Sequence, residues 1–564
     1  MRALLVISVC VASAWAAPTT AIKVDQVGYL PHARKLAFVV TPQPATEFLL
    51  RSVADSSVSF RGRLSAPVYD ADSGDRVQLA DFSAFQTAGR FYIEVPGVGN
   101  SWTFSIAPSV YVRAFYLAMR SFYGQRCGTD VDLGPEFPGF KHAACHLTGA
   151  YHRSSGKTGP RLSAKGWHDA GDYGRYIVNS GISTAELLWT WELFGDRIKN
   201  LSLDIPESQN STPDILDEIR WNLEWMVTMQ DDDGGVWPKQ TSERFADFVM
   251  PERDGLVSYV IGSGKTPYKS TAATADFAAV MAIAARVYKP FDATYAQHCL
   301  TASREAWAWV QKHPNVTFRN PDGVLTGEYG DADPRDEILW AAAELWHTTK
   351  QENYERYFLE HYRAQLPALA ARPPSWQHVA SLALWTYMLD RDANKQAGDD
   401  IRRLSVQAAD QIVGRTTANP YGHSLTSKDY VWGSNGVVAN YGLQLLIANK
   451  VKPDARYVAA ALENLHYLFG RNTFSLSWVT QLGENPFRHP HHRPSQADNN
   501  SEPWPGLLSG GPNRSRQDPA MTKLPNLPAA KMYLDDWESY ASNEIAINWN
   551  APLVFVLAAL LPDK

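Results

Sequence analysis

The stretch SWTFSIAPSVYVRAFYLAMRSFYGQRC, residues 101–127, contains the point where the chain changes its period. Up to Ile106 apolar and polar residues alternate, as on a half-buried strand; beyond Ser109 the apolar positions recur at helical spacing. Toward the N-terminus lie KLAFVV, EFLLRSV, VSFRGRL, RVQLADF and GRFYIEV, separated by turn residues. Roughly six such segments, about a dozen residues apart, predict an all-β sandwich of immunoglobulin type over residues 17–106. Toward the C-terminus about twelve apolar segments are long enough for helices, among them AATADFAAVMAIAARVY and DEILWAAAELWHTT. Ala-, Leu- and Trp-rich helices with no parallel-strand pattern between them predict an all-α toroid of helix pairs over residues 107–564.

A chain of 564 residues with 45% hydrophobic content has material for one small domain and one large one. Lys and Arg total 53 against 59 Asp and Glu, a net charge of -6, and no long basic run occurs. This balance argues against nucleic acid or an anionic membrane as partner and suits a neutral ligand. The opening MRALLVISVCVASAWAAPTT has one Arg, an apolar run and Ala14-Trp15-Ala16, the pattern of a cleavable secretory signal over residues 1–16. The expected product is exported (secreted or periplasmic), soluble and monomeric, with Cys127, Cys145 and Cys299 remaining. A disulfide between the first two suits an exported protein.

The loops around residues 128–181, 231–271 and 473–542 are long and carry Gly, Pro, His, Asp and aromatics, which marks them for chemistry. In KGWHDAGDYGRY, residues 165–176, Asp169 and Asp172 stand three apart; by spacing alone they serve a turn as readily as a reaction. In YLDDWESYASNEIAINWNAPL, residues 533–553, Glu544 sits where a helix begins, among Asn543, Asn548 and Asn550. A Glu there commonly answers the helix dipole, but the amides could equally orient it toward a sugar.

Together with VTQLGENPFRHPHHRPS, residues 479–495, these segments closely resemble glycoside hydrolase family 9, the inverting β-glucanases that include many cellulases. The resemblance spans nearly the whole chain. It implies an N-terminal immunoglobulin-like module followed by an (α/α)6 barrel, with Asp172 as the base that activates water, Asp169 as its helper and Glu544 as the general acid. Inversion needs acid and base on opposite faces of the bond, roughly 6.5–9.5 Å apart, and Glu544 must stay protonated near neutral pH. His491 and Arg493 resemble the family's substrate-contacting pair, with Tyr540 beside the acid; Trp432 and Trp237 are candidates for stacking on sugar rings. The expected activity is that of an endo-β-1,4-glucanase. An exo-acting enzyme releasing cellobiose, glucose or glucosamine units is the alternative, and a non-catalytic carbohydrate-binding protein a third. No cellulose-binding module or Ser/Pro-rich linker is evident, which favours soluble glucan, amorphous cellulose or oligosaccharides.

Cys127, Cys145, His146 and His168 have the composition of a closed tetrahedral zinc site. The resemblance implies a structural zinc there, with His168 directly before the first catalytic Asp. For calcium, the oxygen-rich loop with Glu207, Asn210 and Asp214 is one candidate, though Pro213 also suits an ordinary helix start. Thr326, Glu328, Asp331, Asp336 and Glu337 are a second. Either ion would pin a loop, and no organic cofactor is expected.

Overall fold

The computed structural model describes residues 17–563; the signal segment read at residues 1–16 lies outside the described residues. Two sheets pack face to face at the N-terminus. One runs Ile22–Lys23, Leu36–Val40, Arg76–Asp81, Val68–Tyr69; the other runs Gly28–Tyr29, Phe104–Ile106, Gly89–Val95, Glu47–Ser52, Val58–Arg63. Their inward residues, including Val39, Phe48, Leu50, Phe82, Ile93, Phe104 and Ile106, form one core. Gly28 is required where Gly28–Tyr29 pairs with Phe104–Ile106, because a Cβ there would meet the Ser105 carbonyl oxygen at 2.0 Å and its φ is +135°.

After Ile106 the chain is dominated by helices, beginning at Val112–Gly124. Six of them, Ile177–Ile198, Thr271–Tyr288, Arg335–Thr349, Ala380–Leu389, Ser434–Val451 and Ile547–Leu560, are buried over most of their length. Their small, apolar sequences explain this, since a helix without a polar face belongs inside. Ile177–Ile198 packs on Thr271–Tyr288, which packs on Arg335–Thr349, which packs on Ala380–Leu389; Ser434–Val451 packs on Ile547–Leu560, which returns to Ile177–Ile198. Helices such as Glu352–Gln365 and Lys395–Ala418 bury only one stripe and lie outside them.

The long segments read as loops hold more order than their sequence suggests. Pro160–Leu162, Thr148–Tyr151, Ser258–Ile261, Lys239–Thr241 and Arg175–Tyr176 join in a five-stranded sheet. Strands of two to four residues drawn from distant segments are too short to show a period.

The two domains are tied by buried polar contacts. Asp25 Oδ2 lies 2.7 Å from His466 Nδ1, and Gln26 Oε1 accepts from the backbone N–H of Glu484 (3.0 Å) and Asn485 (2.7 Å). Tyr421 donates its hydroxyl to Asp75 Oδ2 at 2.7 Å.

Candidate active site and metal centre

A cavity of about 750 Å³ opens where the helical domain receives its long connecting segments, and Asp169, Asp172 and Glu544 all line it. Local backbone contacts join the two acid-bearing segments. Ala170 bridges Ala546, and the Ile547 N–H donates to the Asp169 carbonyl at 3.0 Å. Gly171 passes so close to the backbone of His491 that a Cβ would meet its carbonyl oxygen at 2.0 Å, which requires glycine between the two aspartates. Glu544 ends the short helix Tyr540–Asn543 in extended conformation, just before Ile547–Leu560.

Each aspartate is held by a tyrosine. Asp169 accepts from Asn179 Nδ2 (2.7 Å) and the Tyr329 hydroxyl (2.6 Å). Asp172 accepts from the Gly174 N–H (3.0 Å) and the Tyr176 hydroxyl (3.1 Å) on its Oδ2. Burial, reinforced by the charge of Asp172, raises the Asp169 carboxyl to about 8. Glu544 is half-buried, and burial with the charges of Asp172 and Asp169 holds it well above the usual carboxylic range. The site therefore gathers three carboxyl groups on one cavity, with burial and mutual charge favouring the protonated form of Glu544 and Asp169.

Several residues expected at the sugar are placed otherwise. Arg493 is 4% exposed and spends its guanidinium on backbone carbonyls, Gly171 at 2.7 Å and Ala246 at 2.9 Å. These two bonds fix the aspartate turn, and the guanidinium charge also acts on Glu544. Trp237 is buried in the core, donates to the Ser155 carbonyl at 3.0 Å and carries Lys157 and Lys269 against its ring, so it is no stacking platform. His491 faces the Trp537 carbonyl (2.6 Å) and packs beside Tyr540; burial lowers its pKa to about 4, leaving a neutral ring. Trp432 is 39% exposed on the cavity wall and packs on Tyr540. Sequence reading missed Tyr176 and Tyr329, together with Trp376 and Trp549 of the wall. The only available signal was that Tyr176 falls in the same segment as the aspartates.

Beside the aspartates, Cys127, Cys145, His146 and His168 bring one ligand atom each within 4.8 Å of one another. The Cys127 and Cys145 sulfurs are 3.9 Å apart, far beyond the roughly 2.05 Å of a disulfide, so the bridged alternative is excluded in this structure. His146 turns Nε2 to Asp254 (3.0 Å) and leaves a buried Nδ1 without a partner, aimed as a metal ligand oriented by a carboxylate would be. Burial opposes ionisation of Cys127, yet Cys145, Arg175 and His168 hold its thiol well below the ordinary value. The group fits zinc.

The calcium candidates divide. In the first loop Glu207 is bound by Arg126 (3.0 and 3.1 Å), Asn210 donates to Asp217 (3.0 Å), and Asp214 accepts the Leu203 N–H (2.7 Å). These side chains serve protein partners and do not fit a cation. In the second, Thr326 faces Lys239 (3.1 Å) and Glu328 faces Arg319 (2.6 Å), so neither joins the remaining acids. Glu337, however, is fully buried with both oxygens unpartnered, and the charges of Asp336, Asp276 and Asp331 act on it. Asp331, Asp336 and Glu337 remain the acids of this loop without a basic partner, although among the described residues only the cysteine–histidine group brings three ligand atoms together.

A model of glycosyl hydrolase family 9 matches residues 111–557, and one of the cellulase N-terminal Ig-like domain matches residues 17–100. The chain is 37% identical over 545 residues to Endoglucanase D of Acetivibrio thermocellus, covering 96% of this chain and 83% of that one. A cellodextrinase of Butyrivibrio fibrisolvens is 34% identical over 560 residues, covering 96% and 99%. The crystal structure of a Zn-binding triple mutant of the family 9 endoglucanase J30 superposes with a TM-score of 0.88 at 34% identity, covering 95% of this chain and all of that one.

Proposed function

Since the chain belongs to glycosyl hydrolase family 9 and carries that group's Ig-like module, we propose that it is an exported, inverting endo-β-1,4-glucanase. Its helices are read as the six pairs of an (α/α)6 barrel, with the cavity at one end. The observation that carries the mechanism is the convergence of Asp169, Asp172 and Glu544 on one cavity, with burial and the neighbouring aspartates raising the Glu544 pKa.

A glucan chain lies along the cavity with Trp432 against a sugar face. Glu544 donates its proton to the departing glycosidic oxygen. Asp172 removes a proton from water on the opposite face, and Asp169 orients that water. The anomeric carbon is attacked once, from the side opposite the leaving group, so the new hemiacetal has inverted configuration. The Tyr176 hydroxyl keeps Asp172 aimed, and Arg493 keeps the Gly171 turn in place. Zinc at Cys127, Cys145, His146 and His168 would leave no open coordination position and so serves structure. Calcium at Asp331, Asp336 and Glu337 would neutralise buried acids.

Viscosity and reducing ends followed on carboxymethyl cellulose, with the anomeric proton of fresh product read by NMR, test the reading. An early viscosity drop and α-configured product are expected. A single small product from the start would make the enzyme exo-acting, and β-configured product would overturn inversion.

A further inference from the structure

Lys239 is a buried amine that the mechanism above does not use. It lies in Lys239–Thr241, pairs across the sheet with Tyr176 and is 1% exposed. Its Nζ donates to Asn320 Oδ1 (2.7 Å), the Gly327 carbonyl (2.8 Å), and Thr326 through Oγ1 (3.1 Å) and its carbonyl (3.3 Å). All these acceptors are neutral, and none belongs to the sheet that carries the lysine. A lysine amine sealed from water is an expensive choice where an apolar side chain would fill the space. Its side-chain hydrogen bonds all fall on the segment that precedes Tyr329.

That turn presents Tyr329 with a φ of +45°, a conformation a bulky residue seldom adopts unless its surroundings impose it. Asn320 reinforces the hold, donating Nδ2 to the Thr326 carbonyl at 2.7 Å. The Tyr329 hydroxyl reaches Asp169 and its ring rests on Tyr176 at 4.7 Å; the Tyr176 hydroxyl reaches Asp172. Lys239 Nζ also sits 5.6 Å from the Tyr176 ring centre. One buried lysine thus lies behind both tyrosines that hold the two aspartates.

We propose that Lys239 is a positioning residue for the hydrolysis, the hydrogen bonds of its Nζ locking the Thr326–Tyr329 turn so that the Tyr329 and Tyr176 hydroxyls fix the water-holding aspartates. This rests on the assignment of Asp172 as base. Lys239→Met is expected to lower kcat on the order of ten-fold or more while leaving KM within about two-fold, since the residue does not line the cavity. The decisive readout is a double-mutant cycle with Tyr329→Phe, because residues acting through one another are non-additive. Lys239→Met in the Tyr329→Phe background should cost little more. Equal loss in both backgrounds, unchanged kcat, or a loss accounted for by a smaller folded fraction would overturn the proposal. If Lys239→Met does not fold, Asn320→Ala, which removes the other tie on the same carbonyl, carries the same cycle with the same criteria. Asp172→Asn, run alongside, separates the premises: activity surviving it refutes the base assignment, whatever the Lys239 cycle shows.

Discussion

Two groups of buried acids in the helical domain are supplied differently. In the cleft, Asp169 and Asp172 each have two hydrogen-bond donors, and Glu544 faces the same cavity. Between Thr271–Tyr288 and Arg335–Thr349, Asp276 and Glu337 are sealed, and their four carboxylate oxygens have no partner. An acid that opens on a cavity can find its missing partner in water or substrate. One that does not must keep a proton or share a cation. Raised pKa values occur in both groups, so the access of each acid, not its shift, separates a reactive group from a structural one.

The largest effect should come from breaking the first group. Asp172→Asn and Glu544→Gln should each cut kcat on the order of 10²–10⁴-fold while oligosaccharide binding, measured by calorimetry, survives. Near-normal turnover in either would remove the distinction drawn above. Next in size is the thiolate and imidazole group that adjoins the cleft through His168. Purified protein should contain one zinc per chain by elemental analysis, and Cys145→Ser or strong chelation should lower Tm by several degrees; a zinc-free protein of unchanged Tm would contradict the site.

A subtler effect concerns stability. Glu544 has a folded-state pKa above its unfolded value of about 4.3. Its favourable contribution is therefore complete below that value and declines as pH rises through the folded pKa. Glu544→Gln should accordingly gain Tm over wild type as pH increases from about 4. A constant offset across a pH series of melting curves would mean the carboxyl is not strained by its site. The smallest effect tests the sealed group: calcium should raise Tm modestly in wild type and not in Glu337→Gln. An equal calcium shift in both would move the ion elsewhere.

How much of this was legible depended on how far the physical signal extended along the chain. LAFVV and EFLLRS were short apolar runs of strand length bounded by turn residues, and AATADFAAVMAIAARVY could only be a buried helix. Asp169, Asp172 and Glu544 stood out because long motifs surround them. Tyr329 and Lys239 did not, because their roles depend on a turn and a strand meeting across 90 residues of chain. Trp237 was misplaced for a related reason. Residue type announces an aromatic face or a guanidinium, but only packing decides whether the sugar or the backbone receives it.

The bridge from Ala170 to Ala546, with the Ile547 N–H on the Asp169 carbonyl, has a consequence for synthesis. On the proposed roles, base and acid are encoded at opposite ends of the catalytic domain, Asp172 near its start and Glu544 just before the last long helix. A chain that stops short of Glu544 would have the proposed base without the proposed acid, however well its N-terminal module has folded. Turnover thus reports that the whole polypeptide has been completed and closed, so specific activity doubles as a count of finished molecules.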